Sequence, residues 1–312
     1  MYWKYAGTQY KRKFHAIQAA NGDFGNISFH AFDESLTDIN FKIEPSQSFE
    51  ELLDERCFEI RDKFSYIKFF FSGGSDSTTV LNTFLRNKIY IDEIIVFRFS
   101  SNNNFDEDSN HEVNKYTLPW LKTNLPDKTK LSIQDWGSDY FFKLKTKNSW
   151  FDTRNTYCCR EILIPNIRGN NFCNLFSGDS PEVYFDGKWK TNQFDTNGYA
   201  ELSKFRNIEM FFHTPNLIIK QAHLLKKVCI EEGLKESSKD LVRRYLRDKP
   251  IAQEQFVKKD MNFSFEHLKD KLFLKNANQN FKDYFRYVLS TKINGIPLVN
   301  IPEGYKLFDK EL

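Results

Sequence analysis

The sequence has no run of 18 or more apolar residues, the length a membrane-crossing helix needs, so no spanning helix is expected. Cysteine is sparse: Cys57, Cys158, Cys159, Cys173 and Cys229 are an odd set of five with no CxxC pair. Neither a zinc site nor a redox dithiol is expected from them, and reduced thiols in a cytoplasmic protein are the simplest reading. The first residues, Met1 to Gly7, lack the apolar core of a secretory signal. One-sided charge is missing too. With 45 Lys and Arg against 42 Asp and Glu, the formal net charge is +3, which permits an anionic ligand but supplies no global basic field for nucleic acid. Neither internal repeats nor low-complexity runs occur.

Aromatic residues, by contrast, are plentiful: 32 Phe and 14 Tyr promise a Phe-rich core. A chain of 312 residues, 40% hydrophobic and 28% charged, is that of a globular protein with one large domain or two ordinary ones.

Residues 1–45 read as short strands and turns, with Asn26 to Phe32 alternating as one strand. Ser48 followed by Glu51 forms a capping box, which starts a helix whose buried stripe is Phe49, Leu52, Leu53, Ile60 and Phe64. Tyr66 to Phe71 is a buried strand. Beyond a glycine-rich turn, Val80, Leu81, Phe84 and Leu85 recur at helical spacing. Ile94 to Phe97 is a second buried strand and Leu131 to Ile133 a weaker third, with helices expected over 111–125 and 139–145. Pro119 should bend or end the first of these helices. This alternation predicts βαβ units and a parallel sheet. Residues 158–199 resist assignment, Leu217 to Val228 is a helix with Pro215 just before its start, and 233–312 reads as mainly helical with a loop-like Asn294-Gly-Ile-Pro297.

The chemistry concentrates in Phe71-Ser72-Gly73-Gly74-Ser75-Asp76-Ser77-Thr78, between the first buried strand and its helix. Gly73 and Gly74 allow backbone angles closed to other residues and let a ligand approach the main chain. Ser72, Ser77 and Thr78 add hydroxyls, and the helix start offers unpaired amides and the positive end of its dipole. Asp76 is the oddity: a carboxylate beside a phosphate cradle is repulsive unless a cation lies between them, and Mg2+ suits both. No Walker A lysine and no GxGxxG fingerprint is present.

The filled SGGxDS pattern resembles the PP-loop ATP pyrophosphatases, whose members include asparagine synthetase, NAD synthetase, tRNA-modifying enzymes and phosphoadenylylsulfate reductase. Two further segments add to the likeness. Thr156 to Pro165 is similar to the cysteine-bearing segment of the reductase-like members, and Phe176-Ser-Gly-Asp-Ser-Pro-Glu-Val-Tyr184 to the second SG-acidic motif of asparagine synthetases. Asp186 to Trp189 and Pro215 to His223 look most like PP-loop proteins of tailed bacteriophages. The resemblance implies a doubly wound, mainly parallel α/β sheet (a Rossmann-like PP-loop fold), with an N-terminal β extension over 1–64 and a helical C-terminal region over 233–312 flanking the domain at 65–232. It implies ATP and Mg2+ as cofactors, adenylation of a substrate, and release of pyrophosphate. The phosphates would lie on Ser72, Gly73, Gly74, Ser75, Asp76, Ser77 and Thr78, the adenosine would be bordered by Arg98 and Ser100, and the metal would be held by Asp76 and Asp179. The substrate is a small molecule or a nucleic acid, no membrane is expected as a partner, and a homodimer is allowed.

Several residues carry two readings. Asp179 is a second Mg2+ ligand or an Asx turn after Gly178. Lys220 neutralises pyrophosphate, as a lysine does in amide-forming relatives, or is a solvated lysine on an amphipathic helix; His223 shares its face. Cys158 and Cys159 are a nucleophile and partner or small buried hydrophobes, and Arg160 meets a phosphate or solvent. Glutamine-dependent amidation by this chain alone is not expected, because residue 2 is Tyr2 rather than a cysteine nucleophile. Sulfate reduction is not expected either, because no cysteine follows Cys229.

Overall fold

A computed structural model of the chain describes residues 2–10, 13–21, 23, 26–30, 40–101, 104–105, 110–136, 171–177, 188–189, 208–235, 237–252, 292–293, 296–297 and 310–311. Strands β1 (Tyr2–Tyr5), β2 (Thr8–Tyr10) and β3 (Ser28–His30) form an antiparallel sheet in the order β2-β1-β3. Helix α1 (Lys13–Ala20), which the strand-and-turn reading of this stretch missed, lies between β2 and β3. The β1–β2 hairpin turns on Ala6 and Gly7, both at positive φ, the twist a two-residue hairpin favours.

Helix α2 (Phe49–Lys63) starts as its capping box dictates: the Glu51 amide donates to Ser48 Oγ at 3.1 Å, and the Ser48 amide to Glu51 Oε2 at 2.7 Å. Such a cap stabilises a helix by about 1 kcal/mol. Its buried face is Leu52, Leu53, Cys57 and Ile60.

The central sheet follows. Strand β4 (Tyr66–Phe70) leads into α3 (Ser75–Arg86), then β5 (Glu93–Ser101) and the short antiparallel β6 (Asn104–Phe105). A π-helical turn, Val113–Thr117, runs into α4 (Leu118–Asn124), then β7 (Lys130–Trp136), β8 (Phe172–Phe176), β9 (Lys188–Trp189) and β10 (Ile208–Met210). Helices α5 (Pro215–Glu231) and α6 (Lys239–Leu246) come next. The short strands β11 (Lys292–Ile293), β12 (Ile296–Pro297) and β13 (Lys310–Glu311) follow, β11 pairing with β12 and β13 with β9. Helix α6 falls in the region read as mainly helical, and β12 takes in Ile296 and Pro297 of the stretch read as loop-like.

Strands β10, β8, β4, β5 and β7 are hydrogen-bonded in that order, every pair parallel, so the fold is α/β with a five-stranded parallel sheet. The chain moves outward from β4 to β5 to β7, then returns to the other side of β4 to lay down β8 and β10. The winding reverses between β4 and β8, and in open sheets of this kind the crevice beyond such a reversal is where ligands bind.

One face of the sheet (Ile67, Phe69, Phe71, Ile94, Val96, Cys173, Leu175) packs with α2 and α3 in a single cluster. On the other face Phe70 stacks on Phe176 at 4.4 Å and on Phe97 at 5.7 Å. Burial on both faces is why these strands read as continuous apolar runs rather than as alternation. Pro119 does not end its helix. It sits in the first turn of α4, directly after the π turn in which the Leu118 amide donates to Val113 O. Pro215 likewise opens α5 from inside its first turn. Among the described residues no helix is long and apolar enough to cross a membrane.

Candidate functional site

The glycine-rich turn leaves the carboxyl end of β4, and Ser177 leaves that of β8, the strand beside it. Gly73 has φ +77° and is buried, while Gly74 is the N-cap of α3 with no side chain to cap it. Helix geometry leaves the first amides of α3 without intrahelical acceptors, so this end of a 12-residue helix presents donors and the positive pole of its dipole.

The loop hydroxyls point back at the loop. Ser77 Oγ donates to Gly74 O at 3.0 Å and Thr78 Oγ1 to Gly73 O at 3.3 Å. Ser72 Oγ lies 3.0 Å from Ser77 Oγ and accepts the Gly74 amide at 3.3 Å. They brace the turn, and with the Gly74 amide held by Ser72 Oγ, the amides of the first turn of α3 are the donors without intrahelical acceptors. Ser75, Ser77 and Thr78 are buried and Ser72 is exposed.

Asp76 is half-buried in the first turn of α3, where the dipole favours a carboxylate. Its Oδ1 accepts from Arg247 Nε at 2.6 Å. The Arg247 side chain is fully buried, with further donations to Gln221 Oε1 at 2.8 Å and Leu246 O at 2.7 Å, and with its guanidinium 3.9 Å from the Phe212 ring centroid. Burial pulls the guanidinium below its ordinary pKa, and the Asp76 charge opposes that pull. The segment that carries Arg247 is stitched to the loop as well. Asp248 N–H donates to Thr79 Oγ1 at 2.8 Å, Asn82 Nδ2 to Asp248 Oδ2 at 2.8 Å, and Ala252 N–H to Gly73 O at 3.0 Å. Thr117, from the π turn, presses on Gly73 from another side, and its buried Oγ1 has no hydrogen-bond partner among the described residues.

Mg2+ on Asp76 fits poorly here. A divalent ion on that carboxylate would share it with a buried guanidinium, setting two cations side by side. Asp179, Cys158, Cys159 and Arg160 lie outside the described residues, though Ser177, two positions before Asp179, ends beside the loop strand.

Arg98 stands three residues beyond Ile95, the register partner of Phe70, and so lies past the end of β4 at the level of the loop; Ser100 continues the same strand. Lys220 turns elsewhere. It is buried, neither solvated nor on the loop, and its Nζ donates to Glu44 Oε1 at 2.6 Å and Pro45 O at 3.1 Å. His223 Nε2 lies 2.8 Å from Phe41 O on the same face, so both residues pin segment 41–45 to α5. Gln221, next to Lys220, is the α5 residue that reaches the site.

Sequence reading missed Arg247, Gln221, Thr117, Thr79 and the 248–252 segment. Arg247 follows the exposed Arg243 and Arg244 with no local mark to set it apart, since its partners are distant in sequence.

No protein-family model matches the chain, and no curated protein matches it.

Proposed function

We propose that the Ser72–Thr78 turn binds the polyphosphate of ATP and that the protein transfers the adenylyl group to a substrate, as the PP-loop ATP pyrophosphatases do. The observation that carries this reading is Gly73 at φ +77°, at the carboxyl end of the central strand, opening the N-terminus of α3 where the winding of the sheet reverses. In the step proposed, a substrate oxygen attacks the α-phosphorus of ATP. The bond to the bridging oxygen breaks, and pyrophosphate leaves with that electron pair. The amides of α3 hold the leaving phosphates, which lowers the barrier by positioning and by stabilising the charge that develops. Arg98, past the end of β5, borders the nucleoside. Mg2+ enters this reading only as the ion that ATP carries.

The test is product analysis with α-labelled ATP and a pooled metabolite and nucleic-acid extract, comparing wild type with Gly73→Ala. Pyrophosphate is expected from wild type alone and only with extract, with the label in the substrate adenylate or, once a second nucleophile displaces it, in AMP; ADP as the product overturns the reading. A second reading, nucleotide binding without turnover, draws on the engagement of Asp76 and Lys220 by Arg247 and Glu44. ATP binding without AMP across fractionated extracts would favour it.

A further inference from the structure

A carboxylate in the first turn of an anion-cradling helix needs a counter-charge, and Arg247 stands where one is needed. Its guanidinium cannot swing away cheaply. Asp76 Oδ1 at 2.6 Å, Gln221 Oε1 at 2.8 Å and Leu246 O at 2.7 Å take its donors, and the Phe212 ring lies against it at 3.9 Å. The same stretch of chain bonds Thr79 through Asp248 and Gly73 through Ala252, so the segment that carries the guanidinium is hydrogen-bonded to the turn and its helix.

Building on the phosphate-loop reading, we propose that Arg247 is the resident counter-cation of this turn, that it and not a divalent metal on Asp76 balances the carboxylate, and that segment 247–252 belongs to the anion site. Anion binding here then depends on the sum of Asp76 and Arg247. With both present the pair is neutral and the helix amides do the binding. With the carboxylate neutralised, the site is one charge more positive beside the bound anion, and Asp248 is the acidic neighbour that Arg247 keeps. The sign of the effect separates the two roles open to Asp76. A metal ligand, once removed, weakens binding in Mg2+. A partner that masks Arg247, once removed, strengthens binding without Mg2+.

The experiment is calorimetric titration of the full chain with inorganic pyrophosphate and with ATP, in EDTA and in MgCl2, for wild type, Asp76→Asn and Arg247→Lys. Asn keeps the shape of Asp76 and can still accept from Arg247. Asp76→Asn is expected to bind pyrophosphate in EDTA about tenfold more tightly than wild type, the scale of one uncovered charge in a partly screened site. The ratio of its affinities in MgCl2 and EDTA should match that of wild type. Arg247→Lys keeps a charge but cannot hold Asp76 and Gln221 together, and should weaken pyrophosphate binding in both buffers. If that variant fails to fold, the Asp76→Asn titrations still decide. Loss of the Mg2+-dependent gain in Asp76→Asn, with no tightening in EDTA, overturns this proposal and leaves the phosphate-loop reading standing. Absence of binding by wild type in either buffer overturns both.

Discussion

Thr117 Oγ1 lies 2.5 Å from where a β-carbon on Gly73 would stand, and the Ala252 methyl lies 2.9 Å from it. The turn is therefore closed in from the π-helical turn on one side and from the C-terminal segment on another. Gly73 has φ +77°, which by itself costs a residue with a side chain roughly 1–2 kcal/mol. Two contacts this short add an overpacking penalty of about 1–3 kcal/mol. Gly73→Ala should lose ~2–5 kcal/mol in urea unfolding and most of its pyrophosphate binding. Adding Thr117→Ala relieves the shorter contact, so the double variant should recover part of the loss. A Gly73→Ala protein as stable as wild type would refute this account of the turn.

The fold was legible where its signals are local. The Ser48–Glu51 cap, the apolar run into β4 and the spacing of Val80, Leu81 and Phe84 each announce their element within a few residues. β7 was legible only at its centre, because Leu131 to Ile133 is the apolar part of a strand that runs from Lys130 to Trp136. β8 and β10 were not legible: Asn174 interrupts the first, and the second has three residues. At the site, the turn is visible because glycine and hydroxyl residues cluster there. Arg247 is not, because it meets Asp76 from 171 residues away and its helix otherwise shows exposed arginines. Pattern reading identifies the side of a site that one stretch of chain builds, and only tertiary packing supplies its counter-charge.

Lys220 tests the difference between a phosphate ligand and a clamp. Its ammonium holds Glu44 and Pro45 O from a buried position on α5, while Glu44 is itself 44% exposed. Lys220→Met leaves the carboxylate able to rehydrate, so the expected loss is about 1–2 kcal/mol, below that of a fully buried pair. Pyrophosphate affinity should stay within about twofold of wild type, a change of under ~0.5 kcal/mol. A large drop in affinity at unchanged stability would return Lys220 to the phosphates.

Cys57, Cys173 and Cys229 should be chemically silent in the native state. All three are buried, and burial pushes each thiol above its ordinary pKa; neighbouring Asp54, Glu209 and Glu232 push Cys57, Cys173 and Cys229 further up. The thiolate is the reactive form. Labelling with a thiol reagent, followed by peptide mapping, should find these three modified only after unfolding. Modification of Cys57 or Cys173 in the folded protein would contradict the packing described.

The edge strand β10 is tied to α2 by one carboxylate. Glu209 accepts from Arg56 at 2.7 Å and from Lys63 at 2.5 Å, with the Glu209 and Arg56 side chains 15% and 11% exposed. Burial raises the Glu209 pKa, but the Lys63 hydrogen bond and the Arg56 charge outweigh it, and the net shift is downward. A folded-state pKa below the unfolded value, ordinarily about 4.3 for Glu, means that the stabilisation is present above that pH and is lost as pH falls through the folded pKa. Glu209→Gln should therefore cost about 2 kcal/mol at pH 7, because Arg56 is left with only the exposed Glu59 carboxylate, 3.2 Å from it, as counter-charge. The gap between variant and wild type should close as urea unfolding is repeated below about pH 4, where Glu209 begins to protonate in the unfolded chain. An equal gap at pH 7 and pH 3 would mean that shape at this position, and not charge, joins β10 to α2.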